Sequence, residues 1–354
     1  MPASQPGYDR KGVPAAVSPL SSKVSPVIKT WLAKARLDGY ILAITGMVVL
    51  ASVLPCRGIA AVALQHVTDF AIGLLFFLYG GRLSREAVLA GVSNWKLQIF
   101  VLACTFIAFP LIGLGLMSAT RPFVDPTIST GLLFLCLPPS TVQSSIAFTS
   151  IARGDVPSAV CAASLSNLVG IILTPILVGI FLTPSNSGGV SFGALRSVVL
   201  QLFLPFAVGQ ALRPWIGGWL QQYKGVLSYV DRSSILLVVY TAFSEGVVNG
   251  IWNRVGAKTL LIILLSASIL LAAMLAFTIW ASRRMGFAVE QEAAIVFCGS
   301  KKSLASGVPM ANILFHGSIV GIVVLPLMLF HQLQLMVCAA MATRYAERRV
   351  NALK

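Results

Sequence analysis

Charge is scarce in this sequence. Only 10% of its residues are Asp, Glu, Lys or Arg, against roughly 25% in soluble domains, which excludes a water-soluble globular enzyme and a disordered chain. Acidic residues are the rarest of these, 11 against 26 Lys and Arg, for a formal net charge of +15. Histidine is nearly absent, and His66, His316 and His331 form no HExxH-type ligand pattern. The six cysteines are scattered without a CxxC pair, and five of them fall in apolar segments, where Cys acts as a small hydrophobe. A disulfide or metal framework is thereby set aside, and no cofactor is expected. The alternation of an outer-membrane barrel is missing too, because the apolar runs are about 20 residues long.

What is present is hydrophobicity: 57% of the residues are apolar or aromatic and the mean hydropathy is +0.87. The class implied is an all-α polytopic membrane protein embedded in the lipid bilayer. Residues 1–36 are polar, with Pro2, Pro6, Pro14, Pro19 and Pro26 and six Lys/Arg, and hold no apolar core of a cleaved signal peptide. They read as a cytoplasmic tail. Ten apolar stretches follow, near 37–54, 60–81, 97–117, 128–151, 156–183, 195–212, 230–248, 258–281, 288–314 and 319–341. Residues 342–354 read as a basic cytoplasmic tail. With both termini cytoplasmic, 19 Lys/Arg fall inside and 5 outside, as the positive-inside rule requires. The basic excess is thus a topology and anionic-lipid signal, and no nucleic-acid partner is implied. The membrane expected is the plasma membrane, or the inner membrane in a bacterium.

The spans divide into two sets of five, 37–183 and 195–341, offset by 158 residues. Five is odd, so duplicated halves sit upside down relative to each other, the inverted-repeat plan of many secondary transporters. Spans 4 and 9 are both interrupted. Span 4 contains Leu137-Pro138-Pro139-Ser140-Thr141-Val142-Gln143-Ser144-Ser145, and two prolines in succession break a helix. Span 9 contains Cys298-Gly299-Ser300-Lys301-Lys302-Ser303, polar residues between two apolar half-spans. Paired interruptions at corresponding places point to a substrate site near the bilayer midplane, where broken helices offer free N–H groups to an anion and free carbonyls to a cation. A Lys at a helix centre costs about 2.5–3.5 kcal/mol on insertion scales, so Lys301 and Lys302 should face a polar chamber. Pro138, Pro139 and Gly299 are the helix-breaking candidates. Gln143, Ser144, Ser145, Ser300, Lys301, Lys302 and Ser303 are the binding candidates, joined in span 5 by Ser164 and Asn167, which share a helix face, with Ser166 and Thr174 as further polar residues of that span. Asp69 and Glu245 are candidate relay acids. The tract Gly80-Gly81-Arg82-Leu83-Ser84-Arg85-Glu86 reads as a cytoplasmic turn.

Residues 74–86 (LLFFLYGGRLSRE), 137–145, 152–156 (ARGDV) and 298–315 (CGSKKSLASGVPMANILF) resemble the bile acid:sodium symporter family, in its sodium/bile acid cotransporter 7-like branch. The resemblance spans about 37–341. It implies ten helices in two inverted five-helix repeats, a panel and a core domain, and broken helices 4 and 9 crossing in the core. It also implies sodium held by helices 4, 5 and 9, which places a possible sodium site on Ser144, Ser145 and Asn167. One departure stands out. The sodium-coupled pattern of helix 9 is Glu-x-Gly-x-Gln-Asn-Ser, whereas this chain has Phe297 for the carboxylate and Lys301 and Lys302 for the two amides. A Lys ammonium can stand in for sodium, and a Lys that releases its proton in one conformation couples transport to protons. The leading expectation is a secondary transporter of an organic anion, with sodium or proton as the coupling ion. The alternative is a membrane regulator of calcium homeostasis, which the same branch implies. A Ser–Lys hydrolase is disfavoured because no oxyanion element is evident.

Overall fold

A computed structural model of the chain describes residues 39–82, 94–182, 199–315 and 319–352. The expected 1–36 tail, Arg85 and Glu86, Arg196, His316 and Lys354 lie outside the described residues. Every regular element among the described residues is a helix. In chain order these are α1 (Gly39–Val53), α2 (Ile59–Arg82), α3 (Trp95–Thr120, with a π turn at Cys104–Ala108), α4 (Pro126–Phe134), α5 (Gln143–Ile151) and α6 (Val156–Leu182). After a π turn at Val199–Phe203 come α7 (Leu204–Gln222), α8 (Lys224–Val248), a single helical turn at Ile251–Arg254, α9 (Ala257–Arg284), α10 (Val289–Gly299), α11 (Leu304–Leu314) and α12 (Ile319–Ala352).

Among the described residues six helices are long and apolar enough to cross a bilayer: α2, α3, α6, α8, α9 and the Ile319–Glu347 part of α12. The chain is an all-helical polytopic membrane protein. Two helices outrun their apolar stretches. α7 continues to Gln222 and α12 to Ala352, because hydropathy marks where lipid contact ends, whereas Ala, Arg and Glu propagate a helix into water.

The helices pack in two groups. α7 lies along α2, and α8 packs on α1 and α2. In the second group α12 packs on α4 and α9, α10 on α9, α5 and α6, and α11 on α12. The groups meet where α8 touches α11 and α12.

The 80–82 part of the expected turn is instead the last turn of α2. Its glycines serve packing. A Cβ on Gly80 would lie 2.0 Å from the Phe206 carbonyl oxygen, and one on Gly209 would lie 2.0 Å from that of Phe77, so α2 and α7 touch backbone to backbone. Arg82 then reaches Asp231 of α8, Nη1 to Oδ2 2.5 Å.

Candidate functional site

The first interruption follows from Pro138 and Pro139. α4 ends at Phe134 and helix resumes only at Gln143. Five of the backbone groups freed in between find a donor or acceptor elsewhere in the chain, as a backbone in hydrocarbon requires. The Thr174 hydroxyl donates to the Leu137 carbonyl at 3.1 Å, and the Lys302 ammonium to that of Pro138 at 2.8 Å. The Ser303 N–H donates to the Pro139 carbonyl at 2.8 Å. The Ser140 N–H donates to Ser166 Oγ at 3.0 Å, and Asn167 Nδ2 donates to the Ser140 carbonyl at 2.7 Å.

The second interruption lies between Gly299, the last residue of α10, and Leu304, the first of α11. Ser145 Oγ donates to the Phe297 carbonyl at 2.7 Å and Ser140 Oγ to that of Cys298 at 2.5 Å. Gln334 of α12 takes the Lys302 N–H on Oε1 at 2.9 Å and returns Nε2 to the Lys302 carbonyl at 2.8 Å. The two breaks therefore lie against each other and cross-satisfy.

Both lysines sit in this crossing with 0% exposure. Among the described residues neither is ion-paired. Lys302 Nζ donates to the carbonyls of Thr105 at 2.7 Å and Pro138 at 2.8 Å, with the Phe109 ring 4.4 Å below. The Thr105 carbonyl is available for a specific reason. In the π turn the Phe109 N–H bonds Cys104, five residues back, and the next residue that could serve Thr105 is Pro110, which has no N–H. Charge-assisted hydrogen bonds are worth about 1.5–3 kcal/mol each and a desolvated cation–π contact about 2. These offset the several kcal/mol that burying an ammonium costs.

Lys301 is held by less. Its Nζ donates to Ser144 Oγ at 3.2 Å and lies 4.5 Å from the Phe148 ring centroid. Ser144 donates to Thr141 at 2.8 Å, Thr141 pairs with Ser145 at 3.1 Å, and Ser145 donates to the Phe297 carbonyl. Each hydroxyl has one proton, so Thr141 must be the donor to Ser145. The chain is aligned from Lys301 to the α10 backbone, an arrangement in which each bond polarises the next.

The other candidates divide. Asn167 is in the network: Nδ2 also bonds the Ala163 carbonyl, and Oδ1 accepts from Ser306 Oγ at 2.8 Å. Ser144 and Ser145 belong to the Lys301 side and Asn167 to the Ser140–Ser306 side, and no described hydrogen bond joins the three. Ser303 caps α11 by accepting the Ser306 N–H. Ser300 turns back on its own helix, donating to Val296 at 2.6 Å. Gly299 has no left-handed backbone and serves close contact, since a Cβ there would meet Cys104 and Thr278 at 3.3 Å. Ser164 is half-buried on α6 and has no described hydrogen bond to the crossing, whereas Ser166 accepts from the Ser140 N–H. Gln143 is exposed at the start of α5. Asp69 is exposed on α2 and accepts from Gln65, and Glu245 lies on α8. Neither acid is joined to a lysine by a described ion pair.

Thr105, Ser140, Thr141, Ser306, His331 and Gln334 are participants that the candidate residues did not include. His331 and Gln334 carry a readable signal, two polar groups at i, i+3 within the apolar run 319–341. The Thr105 carbonyl carries none, because the backbone register around Pro110 creates it.

A model of the SBF-like CPA transporter family matches residues 38–347. Uncharacterized protein PA2026 of Pseudomonas aeruginosa is 54% identical over 315 residues, covering 89% of this chain and 95% of the relative. The Escherichia coli K12 protein YfeH, whose name marks it as a candidate symporter, is 50% identical over 310 residues, covering 87% and 93%. The rat sodium/bile acid cotransporter 7 is 30% identical over 277 residues, covering 76% and 80%.

Proposed function

The chain belongs to the SBF-like CPA transporter family, and we propose that it is a secondary, symporter-like transporter of an organic anion that works by alternating access. The solute class is a bile-acid-like or other carboxylate or sulfonate. In this reading the chain makes ten membrane passages in two inverted five-helix repeats, α4–α5 and α10–α11 forming the two discontinuous ones, with both termini cytoplasmic in the plasma membrane. Ser140 pairs with Cys298, 158 residues on, the same offset that separates the two halves, as residues near a pseudo-two-fold axis would. α1, α2, α7 and α8 form the panel, and α3–α6 with α9–α12 form the core.

One observation carries the mechanism: the Lys302 ammonium is held by two backbone carbonyls that prolines leave without backbone donors. That is how a broken helix holds a coupling cation, here tethered to the chain. Lys301, held by one hydroxyl and the ring faces of Phe148 and Phe297, is the group that meets the anion, and it takes up a proton from water on one side and releases it to water on the other. The coupling ion is then a proton, and sodium at Ser144, Ser145 and Asn167 is not required.

Purified full-length chain in liposomes tests this. The anion giving the largest thermal shift in a carboxylate and sulfonate screen serves as the probe. A pH gradient should drive its uptake in sodium-free buffer. Uptake that needs a sodium gradient would overturn the coupling, and absence of stoichiometric uptake would favour the calcium-regulator reading.

A further inference from the structure

Gln334 lies on α12, fully buried, one helical turn after His331. Its carboxamide makes three hydrogen bonds, one on the oxygen and two through the nitrogen. Oε1 accepts the Lys302 N–H at 2.9 Å, and one Nε2 proton goes to the Lys302 carbonyl at 2.8 Å. The other faces His331 Nδ1 at 2.8 Å. The amide orientation is therefore dictated twice. A flipped amide would set N–H against N–H and oxygen against oxygen at Lys302. Because Nε2 must donate, His331 Nδ1 must accept, and the imidazole carries no proton on that nitrogen.

We infer that Gln334 is a positioning residue for Lys302, and that His331, through Nδ1, fixes the amide in the one orientation that clamps the Lys302 peptide. The clamp replaces the helical bonds that the break removes. Holding both the N–H and the carbonyl of one residue sets where its side chain leaves the backbone. The Lys302 ammonium is thereby delivered to Thr105 and Pro138. The transport significance rests on the role proposed for Lys302, but the positioning itself can be read without transport.

The experiment measures acetylation of each lysine in the reconstituted full-length chain, with a membrane-permeant N-hydroxysuccinimide ester and fragment-resolved mass spectrometry. Gln334→Met keeps the volume and removes every bond. His331→Asn retains an acceptor near the Nδ1 place, and His331→Leu does not. The expected result is a rise of about tenfold in the Lys302 rate for Gln334→Met, the factor that loss of one net hydrogen bond gives, with Lys301 unchanged. His331→Leu should move in the same direction and His331→Asn should match the parent. The inference is overturned by an unchanged Lys302 rate in Gln334→Met, by both lysines rising together, or by His331→Asn behaving as His331→Leu. If Gln334→Met does not fold, the two His331 variants decide alone. Because no solute is used, a failure here is separate from a failure of the transport reading, which only flux would expose.

Discussion

Asn167 is the residue whose chemistry is most constrained. Two carbonyls, of Ser140 and Ala163, receive its Nδ2 protons, and a hydroxyl from Ser306 reaches its oxygen. Asn167→Asp keeps the shape and turns two donors into an acceptor facing two acceptors. The expected loss is about 1–3 kcal/mol, the cost of leaving buried carbonyls unpaired, read as a lower melting temperature in detergent. A variant as stable as the parent would remove Asn167 from the crossing. At this scale the sequence was informative where polarity was out of place. Lys301, Lys302, Ser144, Ser145 and Asn167 stand out of apolar runs, and all five are in the network. It was less informative about which neighbour takes part, because residues two apart lie on opposite sides of a helix. Hence Ser166 pairs with Ser140 while Ser164 does not, and Gln143 at the start of α5 stays exposed.

At the scale of elements, prolines write the site. Pro138 and Pro139 part α4 from α5, and Pro110 leaves the Thr105 carbonyl for Lys302. Pro110→Ala supplies an N–H to that carbonyl. The competition with Lys302 should lower solute flux about tenfold, one hydrogen bond's worth, while the helix itself gains, since Ala is favoured over Pro by about 3 kcal/mol in a helix interior. A variant that melts no lower and yet transports less separates the two effects, and unaltered flux would show that Lys302 does not need Thr105. The breaks in spans 4 and 9 were legible because Pro pairs and charged residues interrupt hydropathy. The π turn was not, because Cys104–Ala108 is as apolar as its surroundings and only the bonding register differs. The Gly80-Gly81 pair was misleading for a related reason: glycine marks either a turn or a close approach, and the α2–α7 contact at Gly209 cannot be seen from α2 alone.

For the whole molecule, the two helix groups are expected to move as bodies. Thr68 of α2 and Thr241 of α8 lie within one group, with hydroxyls 2.9 Å apart. A disulfide between Thr68→Cys and Thr241→Cys should form on oxidation and leave flux close to that of the reduced variant. Loss of transport on oxidation alone would mean that this group flexes internally. The group boundaries could not be read from composition, since helices on both sides are equally apolar. They emerge from which faces are close enough to pack.

The most direct measurement of the central claim is solute-driven flux through liposomes carrying Lys302→Ala beside the parent chain, in sodium-free buffer with an imposed pH gradient. The expected result is a fall of at least about tenfold, because two carbonyls lose their cation together. Flux equal to the parent's, from a variant present in the same amount, would contradict it.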